Sequence, residues 1–146
     1  MPIFQATLQI LATFACAIFA GAAVYINLVE HPARMSCGTE VALAEWAPSY
    51  RRATWMQAPL AVLGSACAVL AWLAGSNVWW LIGGVLLGLV IPFTFLVIMP
   101  TNERLLSPAL NQRSDETGRL LEHWNNLHSI RSVLSGLALI ILLINT

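Results

Sequence analysis

Apolar residues fall in long uninterrupted runs along this chain, and the charged residues are confined to two blocks between them. From Phe4 to Leu28 no side chain is charged. At ~1.5 Å per helical residue, that stretch is long enough to cross a hydrocarbon core of ~30 Å. A second uncharged stretch, Ala53 to Thr101, is divided by "AGSN" (Ala74 to Asn77) into two pieces of spanning length joined by a tight turn. The last apolar piece, "SVLSGLALIILLINT", is short for a crossing. A fourth span must therefore start upstream, near Asn125, and carry His128 and Arg131 into or beside the membrane. The pattern predicts an all-α fold over 1–146. It is an integral membrane four-helix bundle in one domain, with spans at about 4–28, 53–74, 78–100 and 125–145 and helical extensions on its polar side.

Pro59 and Pro92 lie inside spans two and three, where kinks are expected because proline lacks an N–H and its ring collides with the preceding turn. Pro32 disfavours helix at His31, so span one is expected to unwind there. Pro100 is expected to end span three. Small residues in "FAGAA", "LGSACA", "IGGVLLG" and "LSGLA" let helices approach closely, which favours a compact bundle and leaves a homo-oligomer open. The polar blocks also read as helical. Thr39 is a candidate cap for a helix running from Glu40 into span two, with a bend at Pro48. Ser114 is a candidate cap for a second helix, with Asp115 and Glu116 set against its dipole, that runs into span four.

Composition supports the membrane reading, with 58% hydrophobic and 10% charged residues and a mean hydropathy of +0.74. Seven basic residues, all Arg, balance seven acids, which leaves no basic footprint for nucleic acid. Every Arg, Asp, Glu and His falls between Glu30 and Arg52 or between Glu103 and Arg131, on one side of the bundle. The positive-inside rule makes that side cytoplasmic and puts both termini outside, as in a bacterial inner-membrane protein. Cys16, Cys37 and Cys67 are odd in number and lack CxxC spacing, which argues against a disulfide framework. The first apolar run lacks the positive n-region of a secretory signal and reads as a retained transmembrane helix.

The candidate chemistry lies at the charged side. Counting by threes and fours, Trp124, His128, Arg131 and Ser135 share a helical face that should point into the bundle. Ionisable groups at membrane depth are costly enough that function is the default hypothesis, the alternative being snorkelling and pairing with Glu30 or Glu103. Glu30 and His31 at the end of span one, and Asn102 after "MP" at the end of span three, could meet His128 at one depth, or could serve only as helix-end caps. Trp46, Tyr50 and Gln57 recur at near-helical spacing and would form an aromatic wall for a flat hydrophobic ligand, or plain core or belt packing. Trp55, Trp72, Trp79 and Trp80 are expected in the interfacial belts. His123 and His128 are too far apart around a helix to bind one metal as a pair. If copper or iron were bound, His31, His128, Glu30 and His123 are the available ligands, and His31 with His128 could hold a haem. The other reading is a site with no cofactor, to which copper, iron or haem is the alternative.

Four spans with "VEHPAR" closing the first, "WAPSYRRATWMQ" entering the second, "MPTNERL" closing the third and "WNNLHSIRSVLSG" opening the fourth resemble the anthrone-oxygenase-like integral membrane proteins. The resemblance covers most of the chain and implies oxidation of an anthrone to an anthraquinone by dioxygen without a conventional organic cofactor. It implies His128 as the base, Arg131 and Asn102 as stabilisers of the enolate oxygen, Trp124 as a stacking surface and His31 as a further site residue. Two classes of function remain open. One is an oxidoreductase acting on an anthrone-, quinone- or phenol-like compound in the bilayer; the other is a non-enzymatic membrane subunit or metal- or haem-binding protein.

Overall fold

The computed structural model describes residues 2–146, and the described chain folds into four long helical rods. The first comprises α1 (Pro2–Tyr25), one π-helical turn (Ile26–Glu30) and α2 (His31–Ser36). The second is the single helix α3 (Thr39–Leu73). The third joins α4 (Val78–Gly88), α5 (Val90–Phe93), a second π-helical turn (Thr94–Ile98) and α6 (Met99–Leu105). The fourth is α7 (Asp115–Ile144). All four are long and apolar enough to cross a membrane.

Proline explains the two π turns. The ring of Pro32 would strike the carbonyl of Leu28, and that of Pro100 the carbonyl of Leu96; each carbonyl lies within a π turn. Widening the helix by one residue absorbs the clash, so the rod neither unwinds nor stops. His31 is helical at φ −64° and ψ −49°, which corrects the expected unwinding there. Likewise Pro100 does not end the third rod, which continues to Leu105. The third rod is instead interrupted at Leu89, between α4 and α5, one turn before Pro92. α3 runs without a break through Pro48 and Pro59.

At the start of α3 the cap is Gly38, whose φ of +87° favours glycine, and Thr39 is the first helical residue rather than the cap. Ser114 does cap α7, its Oγ accepting the Thr117 N–H at 3.3 Å, with Asp115 and Glu116 in the first turn.

Each rod packs against its neighbours around a ring in the order α1, α3, α4, α7 and back to α1. Close approach depends on small residues. A Cβ on Gly84 would come within 3.0 Å of the Ala68 Cβ and 3.1 Å of the Ser65 carbonyl oxygen. Ser65 Oγ donates to the Gly84 carbonyl at 2.8 Å across the same contact.

Two cores result. One is apolar and fills the membrane-spanning part, with Ala12, Phe19, Ala68, Trp80, Leu87 and Leu142 among its members. Trp80 is fully buried there and donates its indole N–H to the Asn145 carbonyl at 3.1 Å, so it is a core residue and not part of an interfacial belt. The other core, around Ile26, Trp46, Ile98, Leu121 and Trp124, holds together the helical extensions at the charged end. Arg113 grips Glu40 through two contacts of 2.7 and 3.2 Å, and Arg104 meets Glu116 at 2.7 Å. The Arg113 guanidinium holds the Glu40 carboxyl below its ordinary range. Large apolar side chains such as Phe4, Phe14, Leu63 and Leu96 cover the outside, the surface a lipid-facing bundle needs.

Candidate functional site

A layer of polar side chains lies between the two cores. At its centre is Asn27, which the π turn after α1 carries toward α7. Its Nδ2 donates to the Asn125 carbonyl at 3.1 Å, to Asn125 Oδ1 at 2.8 Å and to Ser129 Oγ at 3.1 Å. Its Oδ1 accepts from Ser132 Oγ and lies 3.1 Å from His128 Nδ1. With the amide oriented by those donors and acceptors, Oδ1 can only accept from the imidazole. In the neutral imidazole the His128 proton is therefore on Nδ1 and the lone pair on Nε2. Sequence reasoning missed Asn27, which has neither charge nor a motif to mark it.

His128, Arg131 and Trp124 on α7 line an inner cavity of about 20 Å³ together with Trp46, Tyr50 and Gln57 on α3 and Glu30 on the first rod. That is room for about one water. Trp46 stacks on Tyr50 with ring centres 5.1 Å apart and meets Trp124 edge-on at 5.7 Å. Trp124 in turn packs at 4.9 Å from His128 and 6.1 Å from His31. Arg131 donates to Gln57 Oε1 at 2.7 Å and lies over the Phe19 ring at 5.4 Å; it pairs with no carboxylate.

Among the described residues, and apart from Arg34 Nε, which meets Glu45, four buried N–H groups on residues lining this cavity have no hydrogen-bond partner: Trp46 Nε1, Gln57 Nε2, Trp124 Nε1 and Arg131 Nε. Each such orphan costs ~1–3 kcal/mol. Residues with spare donors lining one small space, together with an imidazole, suit a ligand with acceptor oxygens and an acidic C–H or O–H.

Glu30 is held by Arg34 and by the Ser49 hydroxyl, and Arg34 also lies 2.7 Å from Glu45. Burial raises the Glu45 carboxyl even though Arg34 is beside it. Of the residues singled out from the sequence, His128, Arg131, Trp124, Trp46, Tyr50 and Glu30 come together at the cavity. His31, Asn102 and His123 do not line it. His31 is buried against Trp124, with its Nε2 3.9 Å from Glu122. Asn102 is buried on α6 with both amide atoms unpartnered. His123 is exposed and lies in a separate groove near Met35 and Arg119. Among the described residues no three His, Cys, Asp or Glu side chains gather as metal ligands. Trp124 packs against both the His31 and the His128 imidazole.

The cavity adjoins an open groove of about 790 Å³ between α1 and α3, and Ile26, Glu30, Ser49, Ala53 and Gln57 line both spaces. That volume is in the range of small-molecule sites.

The four apolar rods, with charge at one end and a polar pocket between the cores, define an integral membrane four-helix bundle. Within that class, residues 46–141 match the family model described as anthrone oxygenase, and the chain belongs to that family. The matched stretch contains Trp46, Tyr50, Gln57, Trp124, His128 and Arg131, and begins after Asn27 and Glu30. No curated protein and no solved structure matches the chain.

Proposed function

We propose that this protein is a membrane oxidoreductase that oxidises a hydrophobic, anthrone-like or phenolic compound with dioxygen, using His128 as the general base. The reading is carried by one observation: four residues lining the cavity, Trp46, Gln57, Trp124 and Arg131, each hold a buried unpartnered N–H, and His128, which Asn27 contacts at Nδ1, lines the same cavity. The family membership supplies the reaction class.

For an anthrone, His128 Nε2 takes a proton from the methylene carbon between the rings. The negative charge moves to the ring oxygen, where Arg131, Gln57 and the two indole N–H groups stabilise it. Dioxygen then forms a C–O bond at that carbon. Cleavage of the O–O bond with loss of the second methylene hydrogen leaves a ketone and one water, so the four electrons lost by carbon are those gained by oxygen. Trp124 offers a flat face to the rings, and His31 packs on Trp124 as a positioning residue. Asn102, buried on α6 with its amide unpartnered, does not line the cavity and takes no part in this step. The ring system lies in the α1–α3 groove with its reactive edge toward His128, which requires the Trp46–Tyr50 wall to yield. The charged end faces the cytoplasm, following the Arg distribution.

The base is tested without oxygen. Under anaerobic conditions in D₂O, the wild-type protein should accelerate exchange of the anthrone methylene protons, and His128→Gln should lose ~10²–10⁴-fold of that acceleration. Equal exchange rates for the two proteins would remove His128 from the role.

A further inference from the structure

A second space meets the inner cavity from the opposite side of α3. It has a volume of about 90 Å³ and lies between α3 and the third rod, lined in part by Phe19, Ala58, Ala61, Val90, Ile91 and Phe95. Tyr50, Thr54, Gln57 and Arg131 line both this space and the inner cavity, so the two are contiguous at the reacting end. Its outer side reaches the lipid-facing surface, where Ala58 and Phe95 are exposed.

Three features distinguish this space from the α1–α3 groove. It is too small for a fused three-ring compound, whereas the groove is about 790 Å³. Its polar groups are also concentrated at one end, where Tyr50, Gln57 and Arg131 are shared with the inner cavity, whereas Ala58, Ala61, Val90, Ile91 and Phe95 line an apolar outer part. The hydroxyls of its two threonines are already bonded to their own helices, Thr54 to the Tyr50 carbonyl at 2.9 Å and Thr94 to the Val90 carbonyl at 2.6 Å. A water needs two to four polar partners, and apolar cavities of this order stay dry and bind small apolar species. Finally, it lies at the depth of Val90 and Ile91, well within the apolar part of the third rod, and the π turn at Thr94 borders it.

We propose that this cavity is a binding and access site for dioxygen arriving from the bilayer, separate from the groove that takes the organic substrate. Dioxygen is small and apolar and dissolves readily in hydrocarbon. It reaches the reacting carbon past Arg131 and Gln57 while the ring system closes the other side. The inference rests on the oxidase reading for its ligand, although the cavity can be probed without turnover.

A crystal of the full-length protein pressurised with xenon should show an atom bound between Ala61 and Ile91. Ordered water there, or xenon bound only elsewhere, overturns the assignment irrespective of any activity. In active protein, Ile91→Phe should abolish the xenon site and raise the KM for dioxygen several-fold, leaving the KM for the organic substrate unchanged. Ala58→Phe, at an exposed position, fills the same space if the first variant fails to fold. An unchanged KM for dioxygen in a folded variant that no longer binds xenon would refute the route. Absence of turnover in the wild type would count against the oxidase reading alone, and xenon would still decide the gas site.

Discussion

Individual residues divide into those that chemistry makes conspicuous and those that only geometry reveals. His128, Arg131, Trp124, Trp46 and Tyr50 stand out in the sequence because polar and aromatic groups at helical spacing beside apolar runs are costly unless used. Asn27 does not stand out: in "YINLVE" it is one uncharged polar residue, and only the π turn aims it at α7. Pairing was equally illegible. The alternative role for Arg131, pairing with Glu30 or Glu103, is not what the structure has: it meets Gln57, while Glu30 is taken by Arg34 and Ser49. Asn27→Leu should reduce turnover at least ~10-fold, because His128 would lose the acceptor that keeps its proton on Nδ1. Asn27→Asp keeps that acceptor and should retain more activity than the Leu variant at equal folded yield. Identical turnover numbers for the two variants would show that tautomer control is not what Asn27 provides.

At the level of the helix, the length of the uncharged apolar runs is enough to count four membrane-spanning rods, because a membrane span leaves a long and unambiguous signal. Proline was the misleading signal. Its clash predicts a stop at Pro100 and an unwinding at Pro32, whereas a π turn removes the clash at the cost of one misaligned turn. Which helices touch was also beyond the sequence, although the glycines hinted at where. Gly84→Ala should destabilise the bundle by ~1–3 kcal/mol, because its neighbours at 3.0 and 3.1 Å are another Cβ and a backbone oxygen. Gly136→Ala has nothing within 4 Å and should be neutral or slightly stabilising. Thermal unfolding in detergent compares the two, and equal melting temperatures would contradict the packing described for α3 and α4.

The whole molecule has one charged end and one end without ionisable side chains, and the polar layer around Asn27 and His128 lies between the apolar core and the charged end. This polarity was legible from the Arg positions alone, but the split into two cores was not, since α3 and α7 each contribute to both. Cys37 offers a direct reading of orientation, being exposed at the charged end while Cys16 and Cys67 are buried. A membrane-impermeant maleimide should label Cys37 in inverted vesicles and leave it unmodified in right-side-out ones. Labelling from the opposite side would reverse the orientation argued from Arg.

Oxygen uptake by the purified full-length protein supplied with an anthrone tests the central claim most directly. One dioxygen should be consumed per anthraquinone formed, without accumulation of peroxide, and His128→Gln should slow the reaction by ~10²-fold or more at unchanged folded yield. No uptake by the wild type, or uptake that His128→Gln leaves unaltered, would contradict it.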